Sequence, residues 1–400
     1  MLSDRDIDKL IKPIIDRQER INIFTIQKIA KRVRVLKKLS PSEVYKTEQT
    51  LRTSNDLHDI SEEIAKMTDL NRKDITRVLQ IVAQDTYADA KHLFKKQNVQ
   101  YSSFFDNETV QKILKAITAL TIAEFLKRMS VLVFMLRDPI SPRIRKPMTI
   151  ESTYKSVVNE AIQATMSGLD YNTVLATTLQ QLADSSVRTL LTTVTSHGLL
   201  STTMDVYMRR LLLTAIRDLN QQLQDALGKQ FGADGKEISV HEMSAPDHEP
   251  VQGHQFTNEE YEKLQSEQMF ADVQGNIFAP IERAIGEYNC RHFTYAILVG
   301  YSKPRYTQEQ LDANIARNQE GYTDSTGKHR TLYECTQEQR RMERAIRQAK
   351  RTIITGRASD NSVLITRGNA SLYRYESAYK AFSKACGIAT EPDNCYVVGY

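Results

Sequence analysis

The 400-residue sequence is poor in the residues that are abundant in several specialised protein classes: it has no Trp, four Cys, ten Pro and 15 Gly. Because the cysteines are few and dispersed, the sequence excludes a small disulfide scaffold and indicates reduced thiols. The low glycine and proline content, together with 40% hydrophobic residues, excludes collagen-like and disordered chains. We therefore expect a globular protein of two or three domains.

Long uninterrupted apolar runs and a recognisable signal peptide are also missing. The most apolar window, 113–136, contains Lys115, Glu124, Lys127 and Arg128, which is too much charge for a helix that faces lipid. The first residues, MLSDRDIDKLIKPII, lack the apolar segment and cleavage site of a signal peptide. We therefore expect the chain to fold in a cytoplasm, without a helix that spans a membrane.

A helical pattern dominates the sequence up to about residue 230, with apolar residues recurring at helical spacing from Ile7 onward. It predicts an elongated helical N-terminal region and places further helices over 108–136 and 171–200. Short strands are expected around 237–241 and 293–299, which contain β-branched and aromatic residues, and a helical tail follows. The predicted fold class is mainly α with a small α+β module.

Domain boundaries are expected where this pattern breaks. The segment RDPISPRIRKPM, residues 137–148, contains three prolines, so no regular helix continues through it and it is expected to be exposed. The predicted parts are an N-terminal helical domain (1–136), a proline-rich connector (137–148), a second helical block (149–230), a small α+β module (231–305) and a helical C-terminal tail (306–400).

Side chains that bind metals are concentrated in one part of the sequence. Four of the eight histidines lie between residues 241 and 292. The spacing matches neither a zinc finger, since no CxxC pair exists, nor a zinc-protease helix, since Ala245 stands where the second histidine belongs. Two interpretations remain open: these side chains bind a metal ion, with zinc as the candidate, or they form a hydrogen-bonded network without a metal. Both interpretations involve His241, Asp247, His248, Cys290 and His292.

Catalytic motifs give no support to an enzyme. The segment GYTDSTGK, 321–328, has the wrong glycine spacing for a phosphate-binding loop and precedes His329 instead of Ser or Thr. No GxSxG motif or dinucleotide-binding fingerprint is present. We predict that the chain is not an enzyme. The alternative is a metal-dependent hydrolase centred on His241, His248, Cys290 and His292.

Charge is strongly patterned although the formal net charge is only +5. Residues 241–290 contain ten acidic and two basic side chains. Two helical segments carry basic faces, which could bind DNA phosphates, dock on an acidic protein surface or simply be solvated. A nucleic-acid-binding module is thus a further alternative. The residues of the two faces are Lys31, Arg32, Arg34, Lys37 and Lys38 in the first, and Arg340, Arg344, Arg347 and Arg351 in the second.

The segment 237–300 contains the pattern EISVHEMSAPDHEPVQGHQF, then DVQGNIF, then YNCRHFTYAILVGYSKPRY. This pattern resembles the phage minor capsid protein 2 family, relatives of the head-morphogenesis proteins typified by the Mu F protein. The resemblance implies a structural protein of the phage head, present in low copy near the portal. It also implies portal and major capsid proteins as partners, with packaged double-stranded DNA as a further candidate. Assembly is then expected in a bacterial host cytoplasm, without membrane contact. The matching positions are His241, Ala245, Pro246, His248, Gln252, Gly253, Phe256, Asn289, Cys290, Arg291, His292 and Tyr295.

Overall fold

A computed structural model describes residues 2–44, 55–96, 98–137, 145–167, 170–195, 198–266, 269–272, 275–287 and 290–400. Helices dominate this part of the chain. In chain order they are α1 (Asp4–Leu36), α2 (Asp56–Lys96), α3 (Glu108–Met129), α4 (Ile150–Ser167), α5 (Tyr171–Ser185), α6 (Met204–Phe231), α7 (Asn258–Leu264), α8 (Gln308–Glu320), α9 (Leu332–Ser359) and α10 (Ser362–Ala385), followed by a 3-10 helix, Pro392–Cys395. None of the helices among these residues is long and apolar enough to cross a membrane.

The strands are short and all pair antiparallel. They form a four-stranded sheet of order β2-β1-β3-β4, a three-stranded sheet of order β6-β5-β9, and two small hairpins. In chain order the strands are β1 (Leu132–Arg137), β2 (Arg145–Thr149), β3 (Arg188–Thr195), β4 (Gly198–Thr203), β5 (Gly235–Ile238), β6 (Gln255–Thr257), β7 (Phe270–Ala271), β8 (Ile277–Phe278), β9 (Thr294–Ile297), β10 (Tyr322–Thr323) and β11 (His329–Arg330).

The predicted fold class, mainly α with a small α+β module, is confirmed. Two predicted helices end earlier than expected. The helix expected over 108–136 ends at Met129, and the one expected over 171–200 ends at Ser185; a strand follows each. Both strands belong to the four-stranded sheet, where pairing with distant residues outweighs local helical periodicity.

The proline-rich segment lies mostly outside the described residues, since 138–144 are not among them. Its described ends form the paired strands β1 and β2, with Arg137 opposite Arg145. Residues of β2 are mainly exposed, and the segment contains no described helix. The predicted connector therefore ends in a sheet on both sides.

The chain forms two compact units, and each is assembled from three separate stretches. Unit 1 contains Met1–Ile11, Asp74–Ala123 and Arg210–Gln337; unit 2 contains Lys12–Lys73, Glu124–Arg209 and Glu338–Tyr400. Because the stretches interleave, the units are not consecutive segments. The five-part division by sequence character stays a prediction.

Unit 2 contains the four-stranded sheet and the paired C-terminal helices α9 and α10. These helices meet in a core that includes Ile346, Ile353, Leu372 and Tyr379. They approach closely at Gly368, where an added Cβ would lie 2.5 Å from Ile353 Cγ1. A larger residue at this position would therefore push the two helices apart.

Unit 1 contains the small module built around the three-stranded sheet. Its core is formed by Ile238, Val251, Phe256, Leu264 and Phe278, and their side chains are all at most 5% exposed. Helix α7 covers this core and begins with a reciprocal cap, in which the Thr257 hydroxyl accepts the Glu260 backbone N–H. The module holds the loops that carry the candidate site.

Candidate metal centre

The candidate site begins where β5 and β9 pair. Ile238 lies opposite Thr294, and the ladder continues one residue further, because the Ser239 N–H donates to the Phe293 carbonyl at 2.9 Å. Continuation of an antiparallel ladder brings the next residues of the two chains side by side. As a result, the rings of His241 and His292 pack edge to face, with their centroids 4.6 Å apart.

The loop 242–254 then folds back through successive turns. Its last residue but one, Gly253, has a φ of +76° and lies so close to neighbouring side chains that a Cβ would come within 2.4 Å of Leu311. Glycine is favoured at such a position. This turn places Gln252 next to His241, so that the Gln252 Oε1 accepts a hydrogen bond from the His241 backbone N–H at 3.0 Å.

Three side chains converge at the centre of the module, and we call His248, Cys290 and His292 the His/Cys cluster. The Cys290 Sγ lies 3.5 Å from His248 Nδ1 and 3.5 Å from His292 Nδ1. All three potential ligand atoms lie within 4.8 Å of one another. His248 is 1% exposed and His292 4% exposed, so the cluster is shielded from water on most sides.

The two other predicted site residues lie beside the cluster and have partners of their own. His241 Nδ1 lies 2.9 Å from Asp4 Oδ2, and its Nε2 lies 3.2 Å from the Ser239 hydroxyl. Asp247 accepts two hydrogen bonds from the Arg283 guanidinium, at 2.7 and 2.9 Å. These contacts keep His241 and Asp247 at the edge of the site.

Electrostatics within the cluster make it easier for Cys290 to lose its proton. Burial raises the pKa of the Cys290 thiol, but the hydrogen bond and charge of His248 outweigh it, so this pKa lies below its ordinary value. Burial lowers the pKa of His248, but Cys290, the Arg283 carbonyl and Asp247 together raise it above its ordinary value. Burial, aided by the charges of His241 and His248, holds the pKa of His292 well below its ordinary value.

The arrangement can do either of two things chemically. A thiol between two imidazoles can share a proton with one of them, as in an activated cysteine. The same N, S and N donors can also hold a soft or borderline metal ion such as zinc. The metal-dependent hydrolase alternative included His241 among its central residues. In the structure, the His241 ring lies outside the His/Cys cluster.

Asp4 and Arg283 belong to the site but were not found from the sequence, whereas Arg291 is one of the matching motif positions. Asp4 and Arg291 form an ion pair at 3.5 Å, and Asp4 comes from the other end of the chain. Burial raises the pKa of Asp4, but His241 and Arg291 outweigh burial and lower it to about 2. Arg283 had one signal in the sequence, because it is one of only two cations in the acidic segment 241–290. Asn289, which belongs to the motif, lies outside the described residues.

The first predicted basic face lies at the C-terminal end of α1 and is only partly exposed. Arg32 pairs with Asp56, with Nη2 and Oδ2 2.8 Å apart, and Lys37 lies 3.3 Å from Asp360 Oδ2. The residues of this face that are exposed are Lys31, Arg34 and Lys38. Lys31 and Arg34 lie three residues apart on the last turns of α1, whereas Lys38 lies in the turn that follows the helix.

The second predicted basic face needs correction. Arg340 and Arg344 are exposed on α9, but Arg351 is only 6% exposed and makes two 2.8 Å hydrogen bonds to Glu19. Arg347 donates to Asp205 at 2.9 Å. Helical spacing alone put all four arginines on one surface, but two of them neutralise carboxylates inside unit 2. The exposed part of the face is therefore limited to two residues.

Comparison with known proteins identifies the family of the chain. No curated protein and no solved structure matches it. The model of the family described as "Phage minor capsid protein 2" matches residues 2–384, nearly the whole chain. Proteins of this family are structural components of the phage head. This chain is accordingly a virion protein. The chain is a member of the phage minor capsid protein 2 family.

Proposed function

We propose that the chain is a low-copy structural protein that joins the phage head beside the portal and contacts both portal and major capsid proteins. The observation that supports this proposal is the family match over residues 2–384, which includes both compact units. Assembly takes place in the host cytoplasm. Packaged double-stranded DNA is a second partner, reached through exposed cations.

Exposed acidic side chains support binding to other proteins. In the acidic segment 241–290, Glu242, Glu259, Glu262, Glu282 and Glu287 are exposed. Complementary charges speed association and select the correct partner. We propose that this acidic surface docks on a basic surface of a head protein, because these carboxylates all belong to one module of unit 1.

The exposed residues Lys31, Arg34 and Lys38 support the contact with DNA. Two of these cations lie on the end of α1 and the third lies in the turn after it, and such cations can contact phosphates without reading the base sequence. Since the formal net charge of the chain is only +5, any such contact is local and weak. We therefore rank the protein partners above DNA.

Purified phage heads test the assembly proposal. Quantitative mass spectrometry of heads should find the chain at far fewer copies than the major capsid protein, and cross-linking should join it to the portal protein. Heads without the chain, or with as many copies as the major capsid protein, would contradict the proposal. Cross-links to the major capsid protein alone would remove the portal position.

The basic face can be tested separately. Replacing Lys31, Arg34 and Lys38 by Gln should flatten the dependence of log affinity on log salt for duplex DNA by up to about 2.7 units. A matched variant with three exposed cations of α2 replaced, Lys66, Lys73 and Arg77, controls for the change in net charge. If both variants lower DNA affinity equally, the face has no specific role. If neither does, DNA is not a partner of this surface.

A further inference from the structure

The hydrogen bonds around the His/Cys cluster fix which ring nitrogens carry hydrogen. His248 Nε2 lies 2.8 Å from the Arg283 carbonyl oxygen. A carbonyl oxygen only accepts, so Nε2 must carry the hydrogen and donate it. In the neutral ring, His248 Nδ1 is then left with a lone pair that faces the Cys290 sulfur.

The same reasoning applies to His292, through Gln252. The amide oxygen of Gln252 is oriented by the His241 backbone N–H, which can only donate. This same oxygen lies 3.3 Å from His292 Nε2, so that nitrogen carries the hydrogen. His292 Nδ1 therefore also presents a lone pair to the Cys290 sulfur, at 3.5 Å.

Two buried lone pairs thus face one thiol, which has a single hydrogen to donate. Either nitrogen can accept that hydrogen, but not both, and an unsatisfied buried acceptor is costly. A cation at the centre satisfies all three atoms together. Metal-binding histidines typically donate their second N–H to a carbonyl or amide oxygen, as both of these do.

We propose that His248 Nδ1, Cys290 Sγ and His292 Nδ1 bind one zinc ion. On binding, the Cys290 thiol loses its proton to solvent and a sulfur–zinc bond forms, while both imidazoles stay neutral and donate their lone pairs. A water molecule fills the fourth position, because the described residues bring no fourth His, Cys, Asp or Glu into the group. This inference is independent of the proposed role in assembly.

The two sulfur–nitrogen distances agree with a zinc site. Zinc bonds of about 2.3 Å to sulfur and about 2.0 Å to nitrogen, at the tetrahedral angle, place sulfur and nitrogen about 3.5 Å apart. The cluster has both sulfur–nitrogen distances at 3.5 Å. His292 also lines a cavity of about 250 Å³, which gives ions from solution a route to it. A donor set of one thiolate and two imidazoles suits zinc better than magnesium or calcium.

Such a site would tie together parts of the module that are far apart in the chain. His248 belongs to the loop 242–254, whereas Cys290 and His292 lead into β9. Among the described residues, these two parts are otherwise joined by the ladder of β5 and β9 and by polar contacts such as that of Gln252. Zinc would therefore fix the loop on the sheet.

Metal analysis of the whole chain tests the inference. Protein purified under reducing conditions and dialysed with zinc should retain one zinc per chain by elemental analysis. Cobalt replacement should give the visible bands of a tetrahedral ion and a thiolate-to-cobalt band in the near ultraviolet. Wild-type protein that retains no zinc and shows no such bands would overturn the proposal, and this outcome needs no variant to fold.

Variants locate the ion. Cys290→Ala should abolish the thiolate-to-cobalt band, and Gln252→Leu should weaken zinc affinity about 10- to 100-fold, because Gln252 orients His292 without touching the metal. His58→Gln changes an exposed histidine and should leave zinc binding intact. Full zinc retention in Cys290→Ala would overturn the site. If a variant does not fold, the rate at which Cys290 is alkylated in the wild-type protein tests the proposal instead. Zinc should slow this reaction, and equal rates with and without zinc would overturn the proposal.

Discussion

The buried ion pair between Glu19 and Arg351 gives the sharpest prediction about stability. Both side chains are 8% exposed, and two hydrogen bonds of 2.8 Å join them. Arg351→Met leaves the Glu19 carboxylate buried without its cation, which costs about 3–5 kcal/mol in comparable pairs. For a unit of roughly 200 residues, each kcal/mol lowers Tm by about 2–4 °C, so Tm should fall by about 6–20 °C.

The double variant Glu19→Leu with Arg351→Met should regain most of this loss, because removing both charges of the pair leaves neither of them buried without its partner. Arg344→Met, at an exposed position on the same helix, controls for the loss of an arginine and should change stability by at most about 0.5 kcal/mol. Urea unfolding followed by circular dichroism measures all three variants. If Arg351→Met costs less than about 1 kcal/mol, or if the double variant is no more stable than the single one, the reasoning is refuted.

Two further predictions concern single buried side chains. Burial raises the pKa of Glu343 despite hydrogen bonds from Asn394 and Tyr379, so its ionised form destabilises the fold at neutral pH, and this cost disappears as pH falls through the raised pKa. Glu343→Gln should therefore raise Tm at about pH 7 and leave it unchanged at about pH 3; an equal effect at both values would contradict this. Phe256→Ala, fully buried in the module core, should cost about 3–5 kcal/mol in urea unfolding. Phe105→Ala, 66% exposed, is its control, and similar losses in both would show that burial is not the cause.

Sequence periodicity predicted most of the helices, because a helix that packs on a core needs one apolar face and shows it locally. It failed for β3, RTLLTTVT, where strand pairing with β4 decides the conformation. The threonine-rich composition of β3 is typical of strands and was the available signal. Strands β1 and β3 were missed because only two residues separate each of them from the helix before it, within what looked like a continuous helical pattern.

The candidate site was partly predictable for a similar reason. His248, Cys290 and His292 could be found because their residue types are rare and concentrated in the sequence. Their partners could not be found in the same way, since Asp4 lies 237 positions before His241. The burial of Arg351 likewise depends on Glu19, 332 positions away. Contacts at such separations follow from tertiary structure, which single-sequence patterns do not contain.

The interleaving of the two units has a consequence for synthesis on the ribosome. Unit 1 combines its first residues with residues up to Gln337, and unit 2 combines residues from Lys12 with the last helices. Neither unit can complete its core until its last stretch has been synthesised. The apolar faces of the early helices therefore stay exposed while the rest of the chain is made, which takes roughly 20–80 s at ordinary translation rates. Contacts that are so distant in sequence also slow folding itself. We therefore expect the nascent chain to depend on chaperones, and the yield of folded protein to fall when they are depleted.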